Sequence, residues 1–298
     1  MGKPTQTKPA PAPAPAPANQ PAKSTAVATR PANEVAIPSG SFSEMKGAGF
    51  ETVTRDDLAI PFLSILQSNS PEAMRSSPSY IDGAMEGLII NTVTKQIIDP
   101  AKSPLVLVAC AYKRSFVEWR VREQGGGFVA EHDVSDGTKI LTECERDEKN
   151  REIMPNGHQL NDTRTFYVMV LDPDLGPMPA VLAMTSTQIK KARQWNMQLN
   201  MLRLKDGAVT YTPPMFASKW KVDTVAESNE KGSWFGWRFT HEGFFDSPAD
   251  PEFQACHDFH KSVQAGRVSV DLAKAGEPQI DPETGEIIGD GSSGEGNF

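Results

Sequence analysis

The sequence predicts a mostly β fold with two or more helices, an α+β arrangement whose core is a small barrel or a curved antiparallel sheet. Apolar runs of strand length dominate between residues 82 and 245, and only two stretches keep a helical apolar spacing. Strands and helices do not alternate as a repeating β-α-β pattern would, which argues against a parallel sheet.

Composition places this core between two arms. Residues 1–40 hold Lys3, Lys8, Lys23 and Arg30 against Glu34 alone, with no aromatic residue. Their alternating Pro-Ala run from Pro9 to Ala18 favours an extended polyproline-like chain without apolar surface to bury. Residues 266–298 read as a disordered acidic tail. Its last part, 275–298, carries Glu277, Asp281, Glu283, Glu286, Asp290 and Glu295 and no Lys or Arg. One folded core, 41–265, is expected between them: a preface 41–81, a β-rich body 82–245 and a helix 251–265.

The elements follow in order. Thr54-Arg55-Asp56-Asp57 reads as a turn or cap before the apolar stretch Leu58 to Leu66, where Pro61 interrupts any helix. Ser70-Pro71 and Ser77-Pro78 mark turns, and Leu88 to Ile90 is a short strand. Leu105 to Ala111 is a continuous apolar run, as in a strand buried on both faces, and 112–122 alternates beyond it. Gly125-Gly126-Gly127 and Asn156-Gly157 are turn signals, and the charged segment 143–162 reads as an exposed excursion. Thr165 to Leu171 is a strand closed by the turn Asp172-Pro173-Asp174, and Ala180 to Met184 is another.

A helix is expected over 187–205, with Ile189, Ala192, Trp195, Leu199 and Leu202 on one stripe. Thr185, Ser186 or Thr187 can cap it and Gly207 can end it. Residues 219–226 and 233–240 alternate around 228–232 as a hairpin. Asp250, Pro251 and Gly266 punctuate the last helix, 251–265, whose stripe is Phe253, Cys256, His260 and Val263.

Charge limits the function classes. The chain has 30 basic and 38 acidic residues, net −8, and the body 82–245 is nearly balanced with 20 and 21. A strongly basic duplex binder is therefore excluded, and any nucleic-acid site must be a local patch. Cys110, Cys144 and Cys256 are too few and too scattered for a disulfide framework, which fits a reducing compartment. No apolar run is long enough to span a bilayer and no signal-peptide core is seen, so the expected location is cytoplasmic, with no membrane partner.

Each of the five Trp residues lies within three positions of a Lys or Arg. Aromatic faces that stack on bases, beside cations that pair with phosphates, are the means of binding single-stranded nucleic acid. If 112–122 is a strand, Tyr112, Arg114, Phe116, Glu118, Arg120 and Arg122 share one face, and Lys113, Ser115, Val117, Trp119 and Val121 share the other. The first face is the candidate binding face and the second the core side; an ordinary salt-bridged surface strand is the competing explanation. In the hairpin, Phe235, Trp237 and Phe239 share the core face, while Trp234, Arg238 and Thr240 share the other, near Lys219 and Lys221. Lys190, Lys191 and Arg193 lie off the apolar stripe at the start of the 187–205 helix, where a solvated helix face would explain them equally well.

Enzyme signals are weak. Cys256, His257 and His260 lack the further ligands that a zinc site needs, and the Asp172/Asp174 pair is explained by its turn. No phosphate loop, dinucleotide fingerprint or nucleophile elbow is present. No catalytic residue, metal or cofactor is expected.

Two features carry a resemblance. The acidic tail closed by Phe298 resembles the tails of bacterial and phage single-stranded DNA-binding proteins, although Gly296-Asn297 replaces their acidic or Pro neighbours. Asp57-Leu58-Ala59-Ile60-Pro61-Phe62-Leu63, Met184-Thr185-Ser186-Thr187-Gln188 and Trp195-Asn196 resemble a family of tailed-phage proteins assigned to single-stranded DNA binding, over about residues 50–245. The resemblance implies an elaborated OB-like barrel that binds single-stranded DNA in phage replication or recombination, within the infected bacterial host. It further implies that replication or recombination proteins dock on the tail through Glu286, Asp290, Glu295 and Phe298. The alternative is a non-enzymatic phage structural or host-takeover protein that binds protein partners through its arms.

Overall fold

In the computed structural model, which describes residues 1–2, 48–53, 58–121, 124–148, 150–229, 232–268 and 270–275, the chain after Pro61 is extended rather than helical. Phe62 and Leu66 are buried, while Leu58 at the head of the same stretch is exposed. Leu63–Ile65 (β1) pairs with Ile89–Asn91 (β2), which pairs in turn with Ile97–Ile98 (β3), forming a three-stranded antiparallel sheet. A parallel bridge from Phe62 to Val181 ties this segment to the main sheet.

The main sheet is built on Leu105–Trp119 (β4), one long strand where the sequence suggested two. Phe128–His132 (β5) pairs with its far end. Val134–Leu141 (α1) follows; Glu145–Arg146 (β6) and Glu152–Ile153 (β7) then make a small hairpin. Gln159–Asp172 (β8) runs antiparallel along most of β4, and Gly176–Met184 (β9) returns along β8. The charged segment 143–162 is thus not wholly an excursion, because its last four residues already belong to β8.

Gln188–Met201 (α2) ends four residues before the predicted boundary. The chain then forms a second small hairpin, Leu204–Asp206 (β10) with Val209–Tyr211 (β11), and Gly207 turns that hairpin at φ +57° instead of ending the helix. Thr187 occupies the N-cap position but its hydroxyl makes no capping bond. Ser218–Asn229 (β12) and Gly232–Phe244 (β13) form the long hairpin. Pro251–Gln264 (α3) closes the fold, with the Asp250 side chain accepting from the Glu252 N–H as its punctuation predicted.

The eight-stranded sheet runs β13-β12-β4-β8-β7-β6, with β5 on β4 and β9 on β8. Its strand pairs are antiparallel and it does not close on itself, so the open curved sheet, not the barrel, is the observed form. Alternate residues of the central strands feed two cores. Leu107, Ala109, Phe166, Val168 and Leu182 pack with Ala192, Trp195 and Leu199 of α2 on one face. Val108, Cys110, Tyr167, Met169 and Val181 pack with Cys256 and Phe259 of α3 on the other. A bulge between Ala109 and Ala111 shifts the alternation, so Cys110 and Ala111 both join the α3 side.

The chain divides into two compact units, Met1–Thr52 and Val53–Phe298. The first contains a turn in which the Gly49 N–H donates to the Glu51 carboxylate at 2.9 Å. Every element named above lies in the second.

Candidate nucleic-acid interface

The predicted strand face does not survive as a stacking platform. Its parity is right, but α1 covers it: Phe116 is fully buried, and its ring lies so close to Gly137 that a Cβ there would sit 2.3 Å from it. A base cannot reach Phe116. Trp119 on the opposite face is buried too, as expected. Tyr112 is half-exposed and tilts onto Phe166 at 5.0 Å between ring centroids. Arg114 is held by Asp162 through Nε at 3.1 Å and Nη2 at 2.9 Å, and its guanidinium lies 5.3 Å from the Phe116 ring centre. The bonds to Asp162 raise its pKa and hold its charge in place. Arg120 is exposed, and Arg122 lies outside the described residues.

Glu118 on that face is buried within a polar cluster. It accepts from Asn156 Nδ2 at 3.1 Å, and its two oxygens meet His158 Nδ1 at 2.5 Å and His132 Nε2 at 2.9 Å. Burial pushes its carboxyl pKa up, but the bonds from His158, His132 and Asn156 outweigh that, and the net shift is downward.

Of the other predicted cations, Lys191 and Arg238 are brought together. In the β12–β13 register Glu227 faces Trp234 and Asp223 faces Arg238, which places these four side chains on one face, as the alternation predicted. Trp237 is buried on the opposite, core face, and Phe239 packs against it. Between this hairpin and α2 runs a groove of about 530 Å³ lined by Lys191, Gln194, Gln198, Glu227, Arg238 and Phe239 among others. Its aromatic member is the half-buried Phe239, which stacks on the fully buried Trp195 at 3.9 Å and 4°.

The cations there are differently held. Lys191 is ion-paired with Glu227, whose other oxygen accepts from the Trp234 indole N–H at 3.2 Å. Arg238 reaches Asp223 at 3.4 Å. Lys190 and Arg193 are exposed on α2 and make no ion pair among the described residues. Lys219 lies 4.9 Å from the centre of the Phe245 ring, and Lys221, half-buried, sits opposite Thr240; neither lines the groove.

Sequence reasoning missed the place of Gln194, Gln198 and Glu227 in the groove. The first two carried a signal: with Lys191 they follow the three- and four-residue spacing that makes a second stripe beside the apolar one. The tail residues Glu286, Asp290, Glu295 and Phe298 lie outside the described residues.

The Cys256–His257–His260 segment does not converge on a point. Cys256 adjoins Cys110, and burial followed by the contact with Cys256 raises the Cys110 thiol pKa well above its ordinary value. His257 lies against Phe216 at 5.2 Å, and His260 Nδ1 meets the Cys110 carbonyl oxygen at 2.7 Å. Among the described residues no group of three or more His, Cys, Asp or Glu side chains is placed to hold a metal ion, and no helix is long and apolar enough to cross a membrane.

Compared with known proteins, residues 33–269 match the model of a family described as Pam3 phage gp34-like protein. No curated protein and no solved structure matches the chain.

Proposed function

The chain belongs to the Pam3 phage gp34-like protein family, and from that premise we propose that it binds single-stranded DNA without sequence preference, in phage replication or recombination inside the infected bacterium. The observation that carries the reading is the groove between α2 and the hairpin. Lys191 and Arg238, distant in sequence, meet there beside the half-buried Phe239 ring, and Lys190 and Arg193 stand exposed elsewhere on α2 without an ion pair among the described residues. Cations that follow a phosphate backbone next to aromatic surface are what sequence-independent binding of a single strand requires. No reaction is assigned to the groove.

The test is fluorescence anisotropy of a labelled thymidine oligonucleotide at about 0.05 and 0.2 M salt. Binding is expected at the lower salt. If Lys190, Arg193 and Arg238 each meet a phosphate, the slope of log affinity against log salt should be roughly −2, at about −0.7 per contact. Lys190→Ala, Arg193→Ala and Arg238→Ala should each weaken binding and flatten that slope. Absence of binding at the lower salt, in protein whose Trp fluorescence reports a folded core, would end the reading.

A further inference from the structure

Glu227 holds the groove's Lys191 and the hairpin's Trp234 at once. One of its oxygens pairs with the Lys191 ammonium and the other accepts the Trp234 indole N–H at 3.2 Å. The cluster rests on Gly236: a Cβ there would stand 2.9 Å from Glu227 Oε2 and 3.3 Å from Lys191 Cε. Glu227 and Lys191 keep 30% and 18% of their side chains exposed, so solvent reaches the pair from the Glu227 side more than from the Lys191 side. A point-charge ammonium and a neutral N–H aimed at one carboxylate form a two-donor anion site, and phosphate oxygens accept from the same donors.

We infer that Glu227 is a built-in competitor for phosphate, its carboxylate filling the place between Lys191 and Trp234 that a backbone phosphate of the single strand takes on binding. This rests on the DNA-binding reading. When the strand enters, Glu227 turns outward and Lys191 exchanges one anion for another. Lys191 therefore adds less to affinity, and less to the salt slope, than its charge would allow. Lys190 and Arg193 have no such partner among the described residues and remain open to the first encounter.

The experiment uses the full chain, a labelled thymidine oligonucleotide, anisotropy across a salt series, and thermal melting. Glu227→Gln keeps an acceptor for Trp234 and removes the charge. It should tighten binding roughly two- to fivefold at low salt, the span of a partly exposed ion pair. It should also steepen the salt slope by up to about 0.7, one freed cation. Glu227→Ala should tighten binding as well, and Lys191→Ala should abolish the gain from Glu227→Gln, since the two act through one contact. Trp234→Phe, which removes the N–H but keeps an aromatic ring, should weaken binding. If the wild type binds and Glu227→Gln binds equally or less tightly with an unchanged melting temperature, the competitor role is wrong and the DNA reading stands. If neither the wild type nor either Glu227 variant binds at low salt, both fall.

Discussion

Phe116 shows how a residue with the right pattern can have the wrong role. Its neighbours in the strand invited a binding function, but its ring fills the space left by Gly137 in α1 and is fully buried. Phe116→Ala should therefore cost about 3–5 kcal/mol of stability, as aromatic truncations in a packed core do, while the protein that remains folded binds DNA as before. Urea denaturation with anisotropy on the same samples measures both. Two positions further on, Glu118 gives the fold a pH dependence. Its folded pKa lies below the ordinary carboxylate value, so its contribution is complete above the unfolded-state pKa and disappears as pH falls through the lowered folded value. Denaturation of the wild type and Glu118→Gln from about pH 7 down to 3 should show the stability difference between them shrinking across the acid range. A difference that stays constant with pH would mean that the carboxylate charge is not what the cluster recognises.

Among the elements, β13 shows how the outer strand of the sheet is protected. Gln67 donates to the Phe235 carbonyl and accepts the Phe235 N–H, both at 2.9 Å. Gln188 at the start of α2 donates to the same carbonyl and accepts the Trp237 N–H, both at 3.2 Å. Two side-chain amides thus pair edge groups that would otherwise be open to another strand. Gln188→Ala leaves the Trp237 N–H without this partner and should cost about 1–3 kcal/mol, with α2 loosened against the hairpin; calorimetry and amide exchange at Trp237 measure it. What the sequence made legible here was local. Asp250, Pro251 and Gly266 announced α3 because caps and breakers act on their own turn. The hairpin faces were readable because alternation survives wherever one face is covered. The missed features were non-local. Helix α1 is short, contains Gly137 and several β-branched residues, and gains its packing from Phe116, far away in sequence. The α2 stripe runs on to Leu202, one residue past the helix end, so periodicity alone could not place that end. Burial on both faces of Leu105–Ala111 was legible in its continuous apolar run, but burial of Phe116 beyond it depends on α1, whose docking no strand pattern records. At the site, Lys191, Trp234 and Arg238 were readable as cations and aromatics, but their acidic partners emerge only from the register of β12 against β13.

For the whole molecule the governing quantity is charge. A net of −8 opposes approach to any polyanion, so on the proposed reading DNA is drawn by the local field at α2 and the hairpin, against the repulsion of the rest. Residues 275–298 concentrate that repulsion, with six carboxylates and neither Lys nor Arg, covalently joined to the chain that carries the groove. Covalent attachment gives those charges an effective concentration around the chain that free peptide would reach only at high dose. Deleting 275–298 removes six of the 38 acidic residues and brings the net charge from −8 to −2. Binding of a thymidine oligonucleotide should then tighten severalfold at low salt. The gain should fade as ionic strength approaches about 0.15 M, where exposed charges are screened over roughly 8 Å. Adding the 275–298 peptide in trans should restore inhibition only at high concentration. Removing Phe298 alone changes no side-chain charge and should leave DNA affinity as it was. The deletion also separates this electrostatic role from the one assigned to Glu227, because Glu227→Gln should still tighten binding in the truncated protein. An affinity that is unchanged or weaker after deletion at low salt would show that the tail does not compete for the groove, and would favour a role for it in holding protein partners.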